Sequence, residues 1–280
     1  MGITKRTWIN YRDTSKIELK EPIAIVGSPG LRSIGKIVID ALVEKLHPQL
    51  GAQLFSYGFP GIYYGPSYLG APSSAGVKVE KGNLVELPSV ELYIYKNKTK
   101  KEAQGRDIVI TRGYQAYDSL NQYMVADAIT NLFKELQVKN IISLGAQVVE
   151  EGVRCCVTDL ELLEEMHHYG IEKTNVDRFI GFSGLVVALA REKGIKGVCL
   201  FANTTQNLGD PEYPDFHAAK ILLEKVGEVL NLRVDTSDLE EKRRIEGLEE
   251  ELMGEGSGKG EKVEKGGEKV RKREELSGYA

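Results

Sequence analysis

Three stretches of the chain carry residue types at spacings that could do chemistry. The first is Gly27-Ser28-Pro29-Gly30-Leu31-Arg32-Ser33-Ile34-Gly35-Lys36-Ile37. It follows an apolar run and opens an amphipathic one, so backbone N–H groups at a helix start could hold an anion there. Gly30 to Lys36 matches GxxxxGK, yet Ile37 stands where a phosphate-binding loop needs Ser or Thr to ligate magnesium. Ile34 falls on the apolar face of the helix, which places the helix start ahead of the lysine. The stretch therefore reads as a tight strand-to-helix turn. Gly27, Ser28 and Gly30 form a candidate anion-binding turn, and nucleotide hydrolysis is not expected.

The second stretch, Gly181-Phe182-Ser183-Gly184-Leu185, resembles a GxSxG nucleophile elbow, but Leu185 replaces the last glycine. Ser183 reads better as a helix N-cap. Asp215 and His217, which follow, fall on one helix and do not complete a triad. The third is Glu150-Glu151, after an apolar run that ends in Gly145. Carboxylates at that edge of a sheet could serve acid–base roles, but they have no matching nucleophile.

The remaining reactive types point away from catalysis. There are 4 histidines, and none of His47, His167, His168 and His217 has metal-site spacing with another His or Cys. His167 and His168, with Glu164 and Glu165, read as the solvated face of a short helix. The 3 cysteines form no spaced framework. In a strand, Cys155 and Cys156 would point to opposite faces. They make a poor metal clamp, and buried, inert thiols are expected. No catalytic residue, metal or cofactor is expected.

The elements that must position these residues follow from the periodicity. Ile23–Val26 is a continuous apolar run, the mark of a buried strand. Val90–Tyr95, Ile108–Thr111, Asn140–Leu144 and Val198–Ala202 are further strands. Helices are expected over Ser33–Leu46, from Ser119 onward, over Ser183–Lys193 and over Asp215–Leu230. The helix from Ser119 has the capping box Ser119-x-x-Gln122 and an apolar face of Leu120, Met124, Ala128, Leu132 and Leu136. This alternation predicts an α/β fold with a mostly parallel sheet and helices on both faces. Val77–Val79 and Leu84–Leu87, around Gly82-Asn83, read as an inserted hairpin. Residues 55–72 interleave Tyr57, Phe59, Tyr63, Tyr64 and Tyr68 with Gly and Pro, either as a partner contact or as a loop folded over the sheet edge.

Beyond the domain expected over residues 1–235, Ser237-x-x-Glu240 opens a C-terminal helix over 236–253, with a narrow stripe of Ile245, Leu248 and Leu252. Residues 254–280 form a flexible charged tail ending in Gly278-Tyr279-Ala280, too poor in apolar residues to order itself. The 280 residues are 41% hydrophobic and 28% charged, with a formal net charge of -4, which fits one domain plus an appendage and gives no attraction to nucleic acid or anionic membrane. The N-terminus has no apolar h-region and no stretch reaches ~20 apolar residues, so neither signal peptide nor membrane span is expected and the cytoplasm is the default location.

Several segments together carry a resemblance. Ile180-Gly181-Phe182-Ser183-Gly184-Leu185 leads a helix and Lys193-Gly194-Ile195-Lys196-Gly197-Val198-Cys199-Leu200 a strand. Tyr213-Pro214-Asp215-Phe216-His217-Ala218-Ala219-Lys220 opens the last domain helix. With the Gly27–Gly30 turn and the strand after Pro88, their order resembles the PAC2 family, the proteasome assembly chaperone family, in its archaeal form. The likeness covers most of residues 15–235 and is strongest over 180–220.

That resemblance implies a fold similar to purine nucleoside phosphorylases without a catalytic set. It also implies self-association into a homo-oligomer and a role in building the proteasome. In related activators and chaperones a C-terminal hydrophobic–Tyr–any tripeptide enters pockets between α-subunits. Here that role would map onto Gly278, Tyr279 and Ala280, with Gly278 at the hydrophobic position and Leu276 two residues earlier. The rival expectations are an oligomeric scaffold for another protein partner and an enzyme acting on nucleosides or small phosphates through the Gly27–Gly30 turn.

Overall fold

The structure is a computed structural model and describes residues 7–12, 18–57, 59, 78–80, 82–97, 105–113, 122–176, 181–206 and 213–244. In chain order the elements are β1 (Thr7–Tyr11), β2 (Ile23–Gly27), a 3-10 turn (Leu31–Ser33), α1 (Ile34–Leu46), β3 (Gln49–Ser56), β4 (Lys78–Glu80), β5 (Leu84–Glu86), β6 (Val90–Tyr95), β7 (Ile108–Arg112), α2 (Gln122–Glu135), β8 (Asn140–Gln147), β9 (Val153–Val157), α3 (Leu160–His168), β10 (Glu172–Lys173), α4 (Phe182–Glu192), β11 (Lys196–Asn203) and α5 (Phe216–Leu230). Residues 237–244 are also helical.

Nine strands form one sheet in the order β1-β3-β6-β7-β2-β8-β11-β9-β10. Its centre, β7-β2-β8-β11, is parallel throughout. The β1-β3, β3-β6, β6-β7 and β11-β9 pairs are antiparallel. The sheet is therefore mixed, which corrects the expectation of a mostly parallel one. The reason is connection length. Parallel neighbours need a crossover of a dozen or more residues, usually a helix. Residues 148–152, which join β8 to β9, are too few for that, so β9 must run back against β8's direction.

Both faces of the central strands are apolar, with period 2. Ile23, Ile25, Ile108, Ile110, Ile142 and Leu144 point into a core shared with α1 and α5. Ala24, Val26, Val109, Ile141 and Cys199 point the other way, into a core shared with α2 and α4. Helices on both faces are thus present as expected. On α2 the buried face is Val125, Ala126, Ile129, Leu132 and Phe133, rotated from the expected stripe. Met124 and Ala128 lie at its margin because α2 is wedged between the sheet and α4 and needs a broad apolar face. Leu120 and Ser119 lie outside the described residues.

The inserted hairpin is present: β4 pairs antiparallel with β5, Glu80 opposite Leu84. Gly82 (φ +88) and Asn83 (φ 60) supply the left-handed turn. At the other end, Leu239 is 2% exposed and joins the α1/α5 core, so the first turns of the helix at 237–244 lie on the domain. Lys45–Asp238 (2.9 Å) and Lys220–Glu240 (2.9 Å) flank it. Ser237 does not cap through a capping box: its hydroxyl donates to Asp235 (3.0 Å). Ile245, Leu248 and Leu252 lie outside the described residues. No helix among the described residues is long and apolar enough to cross a membrane.

The seating of α1 on the sheet depends on the absence of side chains. A Cβ at Gly27 would lie 2.4 Å from Ile39 Cγ1 and 2.5 Å from the Gly35 carbonyl oxygen; one at Gly35 would lie 3.0 Å from Leu144 O. Gly27→Ala must push α1 off β2 and is expected to cost about 1–3 kcal/mol, read as a lower urea midpoint at unchanged slope. Gly30→Ala, where the added Cβ meets nothing within 4 Å, is the matched control. Equal midpoints for the two variants would refute the close seating.

Candidate functional site

The C-terminal ends of β2, β8 and β11 open onto a cleft of about 410 Å³. Open parallel sheets place their ligands at this edge. Three chain reversals build it. Ser28, Pro29 and Gly30 form one wall, Gly145 to Val149 a second, and Gly181, Phe182 and Ser183 a third. The N-terminal ends of α1, α2 and α4 all border it, through Gly35, Gln122 and Phe182. At α4 the first-turn N–H groups have no helical partners, whereas at α1 the preceding 3-10 turn already places Ser33 N on Gly30 O (3.0 Å) and Ile34 N on Leu31 O.

The first wall depends on a buried arginine. Arg32 (φ 55) and Ser33 (φ 54) are consecutive left-handed residues, a conformation that costs an L-residue about 1–2 kcal/mol. The Arg32 guanidinium turns inward, 8% exposed. Its Nε donates to Tyr213 O (2.6 Å), Nη1 to Thr205 O and Oγ1 (3.3 Å each) and Nη2 to Pro214 O (3.3 Å). The cation also lies 5.8 Å from the centroid of the Tyr213 ring. Asp215 N returns a bond to Arg32 O (3.1 Å). One side chain thus joins the end of β2, the exit of β11 and the start of α5. Asp215 caps α5 by accepting from Ala218 N (2.9 Å), and it also accepts from Thr204 Oγ1 (2.5 Å). Sequence reasoning passed over Arg32 because its partners lie more than 170 residues away.

The candidate turn splits. Ser28 and Gly30 line the cleft, whereas Gly27 is packed beneath Ile39 and Gly35. Gly30 has extended backbone (φ −168) and open space around it, so nothing there requires glycine. The Lys36 ammonium is turned to Asp40, one turn along α1, and Arg112 Nε holds the same carboxylate at 2.7 Å.

Ser183 is not an N-cap. Gly181 occupies that position without a side-chain cap, and Ser183 already has helical backbone. Its hydroxyl points toward β8, 3.3 Å from where a Cβ on Gly145 would be, and so fills space the glycine leaves. Glu150 closes a loop: it accepts from Asn175 N (2.8 Å) and Asn175 Nδ2 (2.7 Å). Gln147 binds its own reversal, accepting from Val149 N (2.5 Å) and Glu150 N (2.9 Å) and donating to Glu150 O (2.6 Å). This presents Val148 and Val149, 43% and 59% exposed, at the rim.

The described lining of the cleft holds no acid, base or thiol. What it offers is neutral: backbone donors, the hydroxyls of Ser28 and Ser183, and apolar surface. His167, His168, Glu164 and Glu165 are exposed, as a solvated face requires. His167 lies 3.2 Å from Glu172, and no group of three His, Cys, Asp or Glu among the described residues could hold a metal ion. Of the aromatic loop, Phe59 is buried in the α2/α4 core while Tyr57 is 73% exposed and leans on Trp8 (5.3 Å). Tyr63, Tyr64 and Tyr68 lie outside the described residues, as do Gly278, Tyr279 and Ala280.

The PAC2 family model matches residues 24–253. A protein of Methanocaldococcus jannaschii, MJ1210, is 26% identical over 238 residues, which is 83% of this chain and 82% of that one. Two solved structures from Pyrococcus furiosus share the fold. PbaB, described as an archaeal proteasome activator, is 23% identical with a TM-score of 0.71, covering 90% of this chain and 99% of PbaB. PbaA, described as an archaeal homolog of proteasome-assembly chaperone, is 19% identical with a TM-score of 0.63, covering 89% and 96%.

The Arg32 clamp makes a direct prediction. Arg32→Ala strips hydrogen bonds from three carbonyl oxygens and is expected to cost about 2–3 kcal/mol. Arg32→Lys cannot reproduce the fork and should recover only part of it. Denaturant midpoints check the first, and faster hydrogen exchange at the Asp215 amide checks the local opening. An unchanged midpoint with unchanged exchange would refute the clamp.

Proposed function

The chain belongs to the PAC2 family, and from that premise we propose that it is a protein-binding assembly chaperone or scaffold related to proteasome formation, and not an enzyme. The observation that carries this reading is the extent of the family match, which spans nearly the whole described domain. PbaB and PbaA, whose descriptions tie them to the proteasome, share the fold over about nine-tenths of this chain. The cleft adds support. Among its described lining residues no acid or base stands beside the hydroxyls of Ser28 and Ser183 to activate them.

The chain acts as a homo-oligomer and carries its C-terminal residues to the partner. Gly278, Tyr279 and Ala280 dock in pockets between proteasome α-subunits, and several tails on one oligomer bind with avidity. Exposed apolar side chains suit protein contacts. Leu84, Val85 and Leu87 on and beside the β4–β5 hairpin are 63%, 70% and 53% exposed. One observation favours a second reading, a scaffold with a different protein partner: Gly278 offers no side chain at the hydrophobic position of the tail.

The test mixes the full chain, or a chain lacking residues 276–280, with proteasome α-subunits and follows size-exclusion chromatography with light scattering. The proposal expects an oligomer that co-elutes with α-subunits only when the tail is present. Co-elution of both forms would move the contact to the domain. Co-elution of neither would leave the second reading.

A further inference from the structure

The three thiols are not equivalent. β9 runs antiparallel to β11, and the register places Cys156 directly opposite Cys199. Thr158 N donates to Gly197 O (2.9 Å) and Asn203 N to Gly152 O (3.0 Å). By that alternation, Cys156 and Cys199 form a hydrogen-bonded pair, whose Cα atoms sit about 5.5 Å apart. Disulfides span about 4.4–6.8 Å between Cα atoms and about 3.5–4.5 Å between Cβ atoms, so closure must draw together two Cβ atoms that stand about 4.5–5.5 Å apart in an opposed pair. Both side chains also lie on one face of the sheet: Cys199 is in the α2/α4 core and Cys156 packs against it. Cys155 points the other way, fully buried in the α1/α5 core. The adjacency of Cys155 and Cys156 thus separates them, and the long-range register selects one pair.

We propose that Cys156 and Cys199 are a dithiol that closes to a reversible disulfide across β9 and β11 on exposure to a peroxide.

The environment fixes the order of events. A hydrogen bond from Cys199 pulls the Cys156 thiol below its ordinary pKa, against the opposing effect of burial. Giving that bond, together with burial, pushes Cys199 well above its own. Burial pushes Cys155 up to about 12. Cys156 is also the partly exposed member of the pair, so its thiolate is the nucleophile. It attacks one oxygen of hydrogen peroxide, the O–O bond breaks, and hydroxide leaves and takes up the proton Cys156 had shed. Cys156 is then a sulfenic acid. The Cys199 sulfur attacks that sulfur, the S–S bond forms, the S–O bond breaks, and a second water departs with the Cys199 proton. Two thiols and one peroxide become one disulfide and two waters, and a dithiol reductant reverses the step.

Closure also removes a contact at the cleft. While Cys156 is protonated, the single Cys199 S–H can donate to Ser183 O (3.5 Å) in the first turn of α4, and it turns to the Cys156 sulfur when that is a thiolate; Ser183 lines the cleft. The disulfide has no proton for that carbonyl. Oxidation therefore ties the outer part of the sheet together and releases a hydrogen bond at the cleft wall.

The experiment treats the folded full chain with a small excess of hydrogen peroxide, quenches, denatures and counts thiols. The reduced chain has three. The expected result is one remaining thiol, a mass lower by two hydrogens, a non-reduced peptide joining β9 to β11, and recovery of all three thiols with dithiothreitol. Cys155→Ser should keep the linkage and Cys156→Ser should abolish it, with circular dichroism confirming that each variant is folded. Three persisting thiols, oxygen addition at Cys156 without linkage, a linkage through Cys155 or a covalent dimer would each overturn the proposal.

Discussion

At the C-terminal edge of the sheet, the Arg32 guanidinium meets the carbonyl oxygens of Thr205, Tyr213 and Pro214. Two successive left-handed residues, Arg32 and Ser33, are unfavourable by about 1–2 kcal/mol each and need a local source of stability. The fork supplies it, since hydrogen bonds to a charged group contribute about 1.5–3 kcal/mol each. Its geometry fixes where β2 ends, where β11 exits and where α5 begins. Without it, α1 would lose the turn that aims it across Gly27 and Gly35, and the cleft would lose its first wall.

The rest of the architecture follows from how that edge is held. Gly35 brings α1 within contact of Leu144 O, so α1 rests on β8 as well as β2. Gly113 N donates to Gly27 O (2.8 Å) and fastens the end of β7 to the same turn. At the opposite edge the buried Asp107 carboxylate does comparable work, accepting from Lys20 N (2.9 Å) and Asn97 N (3.1 Å). The parallel centre is thus pinned at both ends by polar groups of long sequence separation, while two apolar layers cover its faces.

Local pattern made the centre of this fold legible and left much of its flanks unread. Ile23–Gly27 and Lys196–Asn203 announce themselves as apolar runs because both of their faces are buried. β3 does not: Gln49, Gly51 and Gln53 interrupt it, and Gln53 is buried only because Arg12 donates to it (Nη2, 2.6 Å). The four-strand centre and β6 were therefore visible, while β1, β3, β9 and β10 and the antiparallel direction of β6 were not, which is why the sheet was expected to be more parallel than it is. At the site, the Gly27–Gly35 turn could be seen as a turn from its residues alone. Arg32 could not, because nothing near it in sequence reveals three carbonyl oxygens from another part of the chain. The two thiols differ in the same way. That Cys155 and Cys156 diverge follows from strand period, whereas the pairing of Cys156 with Cys199 is a fact of register.

The charge balance of the cleft follows from what its neighbours have already bound. The arginine nearest the turn is committed to carbonyl oxygens, and Lys36 faces Asp40. The described lining keeps helix-end N–H groups and two serine hydroxyls. A neutral N–H or O–H that meets an anion makes a charge-assisted bond of about 1.5–3 kcal/mol, and one that meets a neutral acceptor about half of that. A phosphate entering here would exchange its hydration for such bonds, with no cationic side chain among the described lining residues. A partner's apolar side chain makes no such exchange: each valine-sized group buried against the rim yields about 1.5–3 kcal/mol, and Val148 and Val149 stand there on a reversal that Gln147 holds rigid. The cleft retains the position of an α/β ligand site, with neutral donors inside it and the apolar side chains of Val148 and Val149 at its rim.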